Sequence, residues 1–355
     1  MRAVGVAEPE EVTVATKSRK YTVSIGEGLD YGNLAQAVKR PCKAVIVSDD
    51  NVFALYGNAA AGSFQKSGYQ TSAFVLKNGE ASKTLDTIAE LLDFLAREDI
   101  TKRDMLIALG GGVVGDVAGF AAAIYLRGVD YIQLPTTILA AVDSSVGGKT
   151  GVDTKAGKNL VGAFHQPAAV LCDTNTFATL PKPVFSDGMA EVVKYGMICD
   201  KAFLLTLSEL PLSKICRRCV EIKADLVEKD EFDTGPRRLL NFGHTVGHAV
   251  EAASGYQISH GSAVAIGMTV ITRASEKSGL TKSACLGDLK KALSQYGLPD
   301  RCDFSAKELA RAAWRDKKRG GEYISLVIPR EIGQAEIQDF PVAELEGFFE
   351  KGLSA

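Results

Sequence analysis

Five short apolar runs punctuate the first half of the chain, at residues 45–47, 73–76, 105–109, 131–134 and 169–171. Each is followed within a few residues by Asp, Gly or Pro, and none sustains the polar alternation of a half-exposed strand. Runs of this kind suit parallel strands buried on both faces. Between two of them Leu85, Ile88, Leu91, Leu92 and Leu95 recur at helical spacing, with Asp86, Glu90, Asp93 and Arg97 on the other side. That is the pattern of an amphipathic helix. Strands alternating with helices imply a Rossmann-like α/β unit, a parallel sheet wrapped by helices.

After Pro181, Lys182 and Pro183 the character changes. Residues 184–210, 213–230, 244–253, 262–278 and 283–296 read as helices, and only 323–329 and 334–338 as extended. The expected division is an α/β domain over 1–181 and a mostly α-helical domain over 182–355. In an open parallel sheet, ligands sit beyond the carboxyl ends of the strands. The active site is therefore expected in the interdomain cleft.

Charge and length exclude several classes of function. Lys plus Arg number 41 against 43 Asp plus Glu, a formal net charge of −2. A chain that neutralises nucleic acid or acidic lipid carries an excess of cations, so neither is expected as a partner. The apolar runs are too short to span a bilayer. Residues 1–20 contain acids and no apolar core, so they do not read as a secretory signal. Seven cysteines at irregular spacing fit the reduced thiols of a cytoplasmic protein. Cys216 and Cys219 form an isolated C-x-x-C in a charged helical stretch and read as coincidence.

Three segments carry chemistry. Gly110-Gly-Gly-Val-Val-Gly-Asp116 follows the run at 105–109 and opens an apolar helical stretch. Gly110, Gly112 and Gly115 satisfy G-x-G-x-x-G in a strand–turn–helix setting, where backbone N–H groups can approach a pyrophosphate. A tight turn that only packs helix on sheet is the other reading. The acid about twenty residues on, Asp130, precedes the next strand instead of ending one, unlike a standard dinucleotide-binding dehydrogenase. Asp143-Ser-Ser-Val-Gly-Gly-Lys-Thr150 ends like a P-loop, but the first glycine of G-x-x-x-x-G-K-[ST] is replaced by Asp143. What remains reads as a Gly-rich loop, with Asp143, Lys149, Lys155, Lys158 and Asn159 near one another in sequence. It suits a phosphorylated polyol, or simply a solvated surface. Of four histidines, His244, His248 and His260 fall in one stretch. The first two share a helix face, as zinc ligands or as hydrogen-bonded core groups, and no H-E-x-x-H accompanies them. Arg237, Asn241 and His244 stack on one face if that helix begins early. Glu191 and Lys194 stand three apart, and Asp316-Lys-Lys318 adds a cationic point near the C-terminus.

Together these segments resemble the 3-dehydroquinate synthase family of sugar-phosphate cyclases, which acts in the shikimate pathway. The resemblance lies in GGGVVGDVAGF (110–120), YLRG (125–128), PTTILAAVDSSVGGKTGVD (135–153), GKNLVGAFHQP (157–167), GMAEVVKYG (188–196), LNFGHTVGHAVE (240–251), SHG (259–261) and DKK (316–318). It implies a carbon–oxygen lyase that converts 3-deoxy-D-arabino-heptulosonate 7-phosphate to 3-dehydroquinate and phosphate. It also implies catalytic NAD, one divalent ion (Zn2+ or Co2+) and a homodimer. Carried over by position, Glu191, His244 and His260 would hold the metal. Asp49, Asn51, Glu80, Lys83, Gly111, Gly112, Val113, Asp116, Thr136, Thr137, Leu139, Asp143, Ser144, Lys158 and Thr179 would line the dinucleotide. Arg127, Asp143, Lys149, Asn159, Lys194, Lys223, Arg237, Asn241, His248 and Lys317 would hold the sugar phosphate, with Lys318 the alternative to Lys317. Where the family carries Glu four residues before this arginine, the chain has Asp233, expected to orient the substrate-binding cations. The competing readings are an amino-dehydroquinate synthase and a metal-dependent polyol dehydrogenase, which would release NADH stoichiometrically.

Overall fold

The computed structural model describes residues 8–282, 284–316 and 321–354. They form two compact units, one running up to Leu180 and including Leu212–Phe232, the other made of Pro181–Pro211 and the residues from Asp233 on.

The first unit is built on a seven-stranded sheet. Its strands are β1 (Glu10–Ala15), β2 (Lys20–Gly26), β3 (Lys43–Asp49), β4 (Gln70–Leu76), β5 (Met105–Gly110), β6 (Asp130–Pro135) and, after a separate hairpin of β7 (Lys149–Thr154) and β8 (Gly157–Phe164), β9 (Ala169–Asp173). The order is β1-β2-β9-β6-β5-β3-β4. All neighbours are parallel except the edge pair β1 and β2. The five apolar runs lie in β3, β4, β5, β6 and β9. Four are buried nearly throughout, but β4 is the sheet's edge and is largely half-exposed, because it has a neighbour on one side only. The Leu85–Arg97 helix buries Ile88, Leu91 and Leu95, while Leu85 at its first turn faces solvent. The Gly112–Ile124 helix is buried almost all round. At the amino end of β6, Asp130 pairs with Arg19 at 2.8 Å and Lys39 at 2.7 Å, which makes it a structural ion pair.

Two sequence expectations change here. The stretch after Asp143 read as a Gly-rich loop, yet its second half is the β7–β8 hairpin. Close backbone pairing at Gly151 and Gly162 replaces the side-chain pattern that would have marked strands. The Leu212–Lys229 helix was expected in the helical domain, but it packs on β1 and β2 in the first unit. Its apolar stripe of Ile215, Cys216, Cys219, Val220, Leu226 and Val227 is buried there, and Lys214 and Arg217 on it pair with Glu10 of β1 at 2.9 and 2.7 Å. Helical periodicity announces such a stripe but not which core it covers.

The second unit is helical apart from the antiparallel hairpin of β10 (Tyr323–Glu331) and β11 (Gln334–Pro341). The His260–Lys277 helix is its centre, packed by the Lys182–Cys199, His244–Ala253, Leu286–Gln295 and Leu345–Leu353 helices. Its approach to the His244 helix depends on missing side chains. Gly243 sits at φ +79, and a Cβ on Gly267 would lie 2.0 Å from the Gly243 carbonyl oxygen. Arg237 and Asn241 do not share the histidine helix as anticipated. They lie on a separate 3-10 turn, Pro236–Asn241, because the left-handed Gly243 restarts the chain direction at His244.

Candidate active site

In the first unit the chain passes from β3 outward to β4 and returns to β5 on the other side of β3. That reversal is the switch point at which open α/β sheets bind ligands, beyond the strands' carboxyl ends. Asp49 ends β3, buried, with its carboxylate capping the next turn through the N–H groups of Asn51 at 3.0 Å and Val52 at 2.9 Å. Ser48 bridges to β5 by donating to the Leu109 carbonyl at 2.7 Å. Gly110 ends β5, and Gly111 leads into the 13-residue Gly112 helix with no side-chain cap. The first N–H groups of that helix therefore have no side-chain acceptor, and they are the kind of donors that an anion takes. A Cβ on Gly111 would stand 3.2 Å from the Thr137 methyl, and one on Gly112 would meet Ser144 Oγ at 3.3 Å and Leu139 at 3.6 Å. Thr136 Oγ1 and Ser144 Oγ are buried without a hydrogen-bond partner. A bare helix terminus and orphaned hydroxyls on the same surface are what a polar dinucleotide would satisfy.

Charged groups flank this surface. Lys83, buried, contacts Asp116 at 2.6 Å and Asn159 Oδ1 at 2.6 Å. Burial pushes the Asp116 carboxyl up to about 6, with Lys83 working against the shift, while burial of the Lys83 ammonium is opposed by Asp116, Glu80 and Asp153, which together hold it above its ordinary value. Lys158 stands 3.8 Å from Glu80. Lys223 reaches from the Leu212 helix to Asp143, donating to its carbonyl at 2.7 Å and its carboxylate at 2.5 Å. Thr179 is exposed and bonded to Tyr56 at 2.6 Å. Asn51, Arg127, Lys149 and Asn159 are exposed. Arg127 and Asn159 have left-handed backbones, at φ +62 and +55, conformations that cost a non-glycine residue energy.

The second unit gathers the histidines. Glu191 on the Lys182 helix is fully buried, and its Oε1 lies 3.3 Å from His244 Nε2 and 3.6 Å from His260 Nε2. Donors about 2.0–2.2 Å from a tetrahedral ion stand about 3.3–3.6 Å from one another, so the spacing fits a shared zinc-like ion. Each imidazole is turned by its other nitrogen. His244 Nδ1 is 3.1 Å from the Phe242 carbonyl and His260 Nδ1 is 3.3 Å from Glu251 Oε2. Lys194, buried one turn along, contacts Glu191 directly. Burial opposes the Glu191 charge, but Lys194 and His244 hold its carboxyl well below the usual carboxylate range. Burial pushes the His244 imidazole below its ordinary value, with Glu191 working against the shift. His260 also suffers burial, yet Glu191 and Glu251 lift it to about 10. An ion binding here must displace that proton. His248 joins the cluster with its ring 5.7 Å from His244 and 6.1 Å from His260. A second group of donors, His248, Glu251 and His260, shares the last histidine.

Comparison with known proteins agrees with this picture. A family model described as the 3-dehydroquinate synthase N-terminal region matches residues 73–187, and one for the C-terminal region matches 188–319. The 3-dehydroquinate synthase of Enterococcus faecalis is 42% identical over 350 residues, 96% of this chain and 98% of its own. The chain belongs to the 3-dehydroquinate synthase family. The family member from Lactococcus lactis is 39% identical over 357 residues, 96% of this chain and all of its own. Among solved structures, 2-epi-5-epi-valiolone synthase from Streptomyces hygroscopicus, with NAD+ and Zn2+ bound, superposes with a TM-score of 0.85 at 28% identity, covering 95% of this chain and 98% of that one. 2-Deoxy-scyllo-inosose synthase superposes at 0.86 with 24% identity, over 97% and 100%. An iron-containing alcohol dehydrogenase reaches 0.63 at 14%, over 97% and 99%, and shares the fold alone.

Some of the residues anticipated from the family resemblance are brought together in three groups: the Gly111, Gly112, Thr137, Leu139 and Ser144 surface, the Lys83, Asp116 and Asn159 group, and the Glu191, Lys194, His244, His248 and His260 cluster. Arg237 is buried in the second unit, and Asn241 is exposed at the end of its turn. Lys317 and Lys318 lie outside the described residues. Asp233 takes a left-handed backbone at φ +59. The sequence reading passed over Glu251, although its place seven residues after His244 put it on the histidine face. Asp187 was passed over as well. Its carboxylate accepts from Ser262 N–H at 3.1 Å and Ser259 Oγ at 2.5 Å and so fixes the first turn of the His260 helix.

Proposed function

We propose that the chain converts 3-deoxy-D-arabino-heptulosonate 7-phosphate to 3-dehydroquinate and phosphate, using catalytic NAD and one divalent ion, zinc or cobalt. The observation that carries the reading is the Glu191, His244 and His260 centre, at ligand spacing, in a chain 42% identical over nearly its whole length to a 3-dehydroquinate synthase. The dinucleotide, when bound, would supply reversible hydride exchange with the C5 alcohol either side of phosphate elimination, and the ion would supply Lewis-acid polarisation of the substrate's oxygens. Ring opening and an intramolecular aldol step then close the carbocycle.

On this reading Glu191, His244 and His260 hold the ion. The bare end of the Gly112 helix takes the pyrophosphate, with Gly111, Gly112 and Val113 presenting main chain, and Thr136, Thr137, Leu139, Ser144 and Thr179 line the dinucleotide. Asp49 and Asn51 at the end of β3, with Glu80, Lys83, Asp116, Asp143 and Lys158, complete its binding. Arg127, Asp143, Lys149, Asn159, Lys194, Lys223, Arg237, Asn241, His248 and Lys317 bind and orient the sugar phosphate. The cations meet the phosphate, so that an anionic ligand is bound by a chain of net charge −2. Lys194 and His248 are the groups beside the metal centre able to move a proton.

The decisive experiment follows phosphate release and 3-dehydroquinate formation with trace NAD+ and zinc. Product exceeding NAD+ many-fold supports the synthase, whereas NADH accumulating one-for-one with substrate identifies a polyol dehydrogenase instead. The reading also takes the enzyme to be a cytoplasmic homodimer. Among the described residues no helix is long and apolar enough to cross a membrane, and light scattering of the purified chain reads the dimer directly.

A further inference from the structure

We propose that Glu251 is a positioning residue for His260, holding its imidazole so that Nε2 is presented to the metal and thereby raising the centre's affinity for the ion. The inference rests on the metal reading of Glu191, His244 and His260.

Glu251 is buried on the His244 helix, two turns beyond His244 and on the same face. Its Oε2 lies 3.3 Å from His260 Nδ1, while Nε2 of the same ring lies 3.6 Å from Glu191 Oε1. A neutral imidazole carries one proton. An acceptor at Nδ1 keeps the proton there and leaves the Nε2 lone pair toward Glu191. The two histidines of the centre are therefore turned the same way by different acceptors. His244 uses a main-chain carbonyl that no side-chain change can remove. His260 depends on a carboxylate, which also strengthens the ring as a donor.

The backbone of His260 is already fixed. Asp187 clamps Ser259 and Ser262 on either side of it, and a Cβ on Gly261 would stand 2.2 Å from the Asp187 carbonyl. What remains free is rotation of the ring, and Glu251 removes it. The group of His248, Glu251 and His260 also has the look of a second metal site. The two roles exclude each other, because a ring whose Nδ1 carries the proton cannot ligate through it.

The test is zinc affinity of the chelator-stripped full chain, by competition with a chromophoric chelator and without substrate. The parent is expected to bind one ion. Glu251→Gln keeps an acceptor of nearly the same shape but not the charge and should bind several-fold more weakly, and Glu251→Ala about 10–100-fold more weakly. Glu276→Gln is the control, since Glu276 is also a structural acid of this unit, accepting from the N–H groups of Cys285 and Leu286 away from any histidine; its affinity should match the parent's. The cobalt-loaded protein reports ring geometry independently, its visible absorption shifting in Glu251→Gln and not in Glu276→Gln. Zinc affinity within twofold of the parent in Glu251→Gln overturns the proposal even if Glu251→Ala does not fold. Two ions per chain, one of them lost in Glu251→Gln, overturns it in favour of the second site. A parent that binds no zinc removes the metal reading itself.

Discussion

In the first unit the candidate binding surface is largely main chain and hydroxyl: the carboxyl ends of β3 and β5, the uncapped start of the Gly112 helix, and the buried Thr136 and Ser144 oxygens. In the second unit it is side chains, with Glu191, His244 and His260 converging from three helices onto one point. The first kind of site depends on what is missing, since a single Cβ blocks the approach of a ligand to backbone. The second depends on the identity of each donor and on how closely the helices approach. Substitutions should therefore separate the two regions, each silencing its own ligand and leaving the other's binding intact.

The largest effect belongs to the second region. His244→Ala and His260→Ala should each weaken zinc binding about a hundredfold or more and cut turnover on the order of 10³-fold, the loss of an ion's several kcal/mol of stabilisation. His248→Ala should keep zinc and lose turnover. Metal analysis finding His248→Ala empty and His260→Ala loaded would reverse the assignment. The matching change in the first region is Gly111→Ala. Its new methyl would press on the Thr137 methyl at 3.2 Å and, on the proposed reading, stand where the pyrophosphate approaches. NAD+ affinity measured by calorimetry should fall on the order of tenfold, about 1.4 kcal/mol, with zinc affinity unchanged. Undiminished NAD+ binding would mean that the helix start is only a packing turn.

Asp233 sharpens the comparison, because it is a side chain whose role depends on its backbone. At φ +59 it occupies a conformation that Asp and Asn tolerate far better than Glu. Asp233→Asn keeps that backbone and removes only the charge, so turnover should drop about tenfold with fold and zinc content retained. Asp233→Glu restores the charge but strains the chain, and should cost stability that Asp233→Asn does not. Parent-like turnover in Asp233→Asn would show the charge to be idle. The last expectation concerns pH and stability in place of turnover. Burial raises the Asp116 carboxyl to about 6 in the folded chain, above its ordinary value, so the folded state holds this proton more tightly than the unfolded one. The resulting stabilisation is complete below about pH 4 and is lost as pH rises through 6. The urea midpoint of the parent should carry a falling component over that window, and Asp116→Asn should remove it; an unaltered profile would place the Asp116 pKa at its ordinary value.

Much of the first unit was legible because its signals are local. Apolar runs of three to five residues, a five-residue helical stripe and a glycine turn between strand and helix each state their own conformation. Where the reading slipped, the missing information was not local. β4 carries a core-like run yet is an edge, since being an edge is a property of the sheet and not of the strand. The β7–β8 hairpin is held by backbone pairing between glycine-rich segments that carry little side-chain pattern. The Leu212 helix was recognised as a helix, but its apolar stripe covers β1 and β2 in the first unit, not the core of the helical one.

The candidate site divides in the same way. By itself the sequence determined that donors of zinc type exist, that His244 and His248 share a helix face, and that a glycine turn follows a buried strand. Those are consequences of spacing along one element. Spacing could not determine that Glu191 meets His244 and His260, which only the family resemblance implied, nor that Glu251 stands behind the last of them. That choice was made by tertiary structure, where Gly243 and Gly267 let two helices approach until their backbones nearly touch and the Lys182 helix brings a buried carboxylate to the junction. Helix periodicity specifies a direction around one axis; distances between atoms on three helices follow only from how those axes pack.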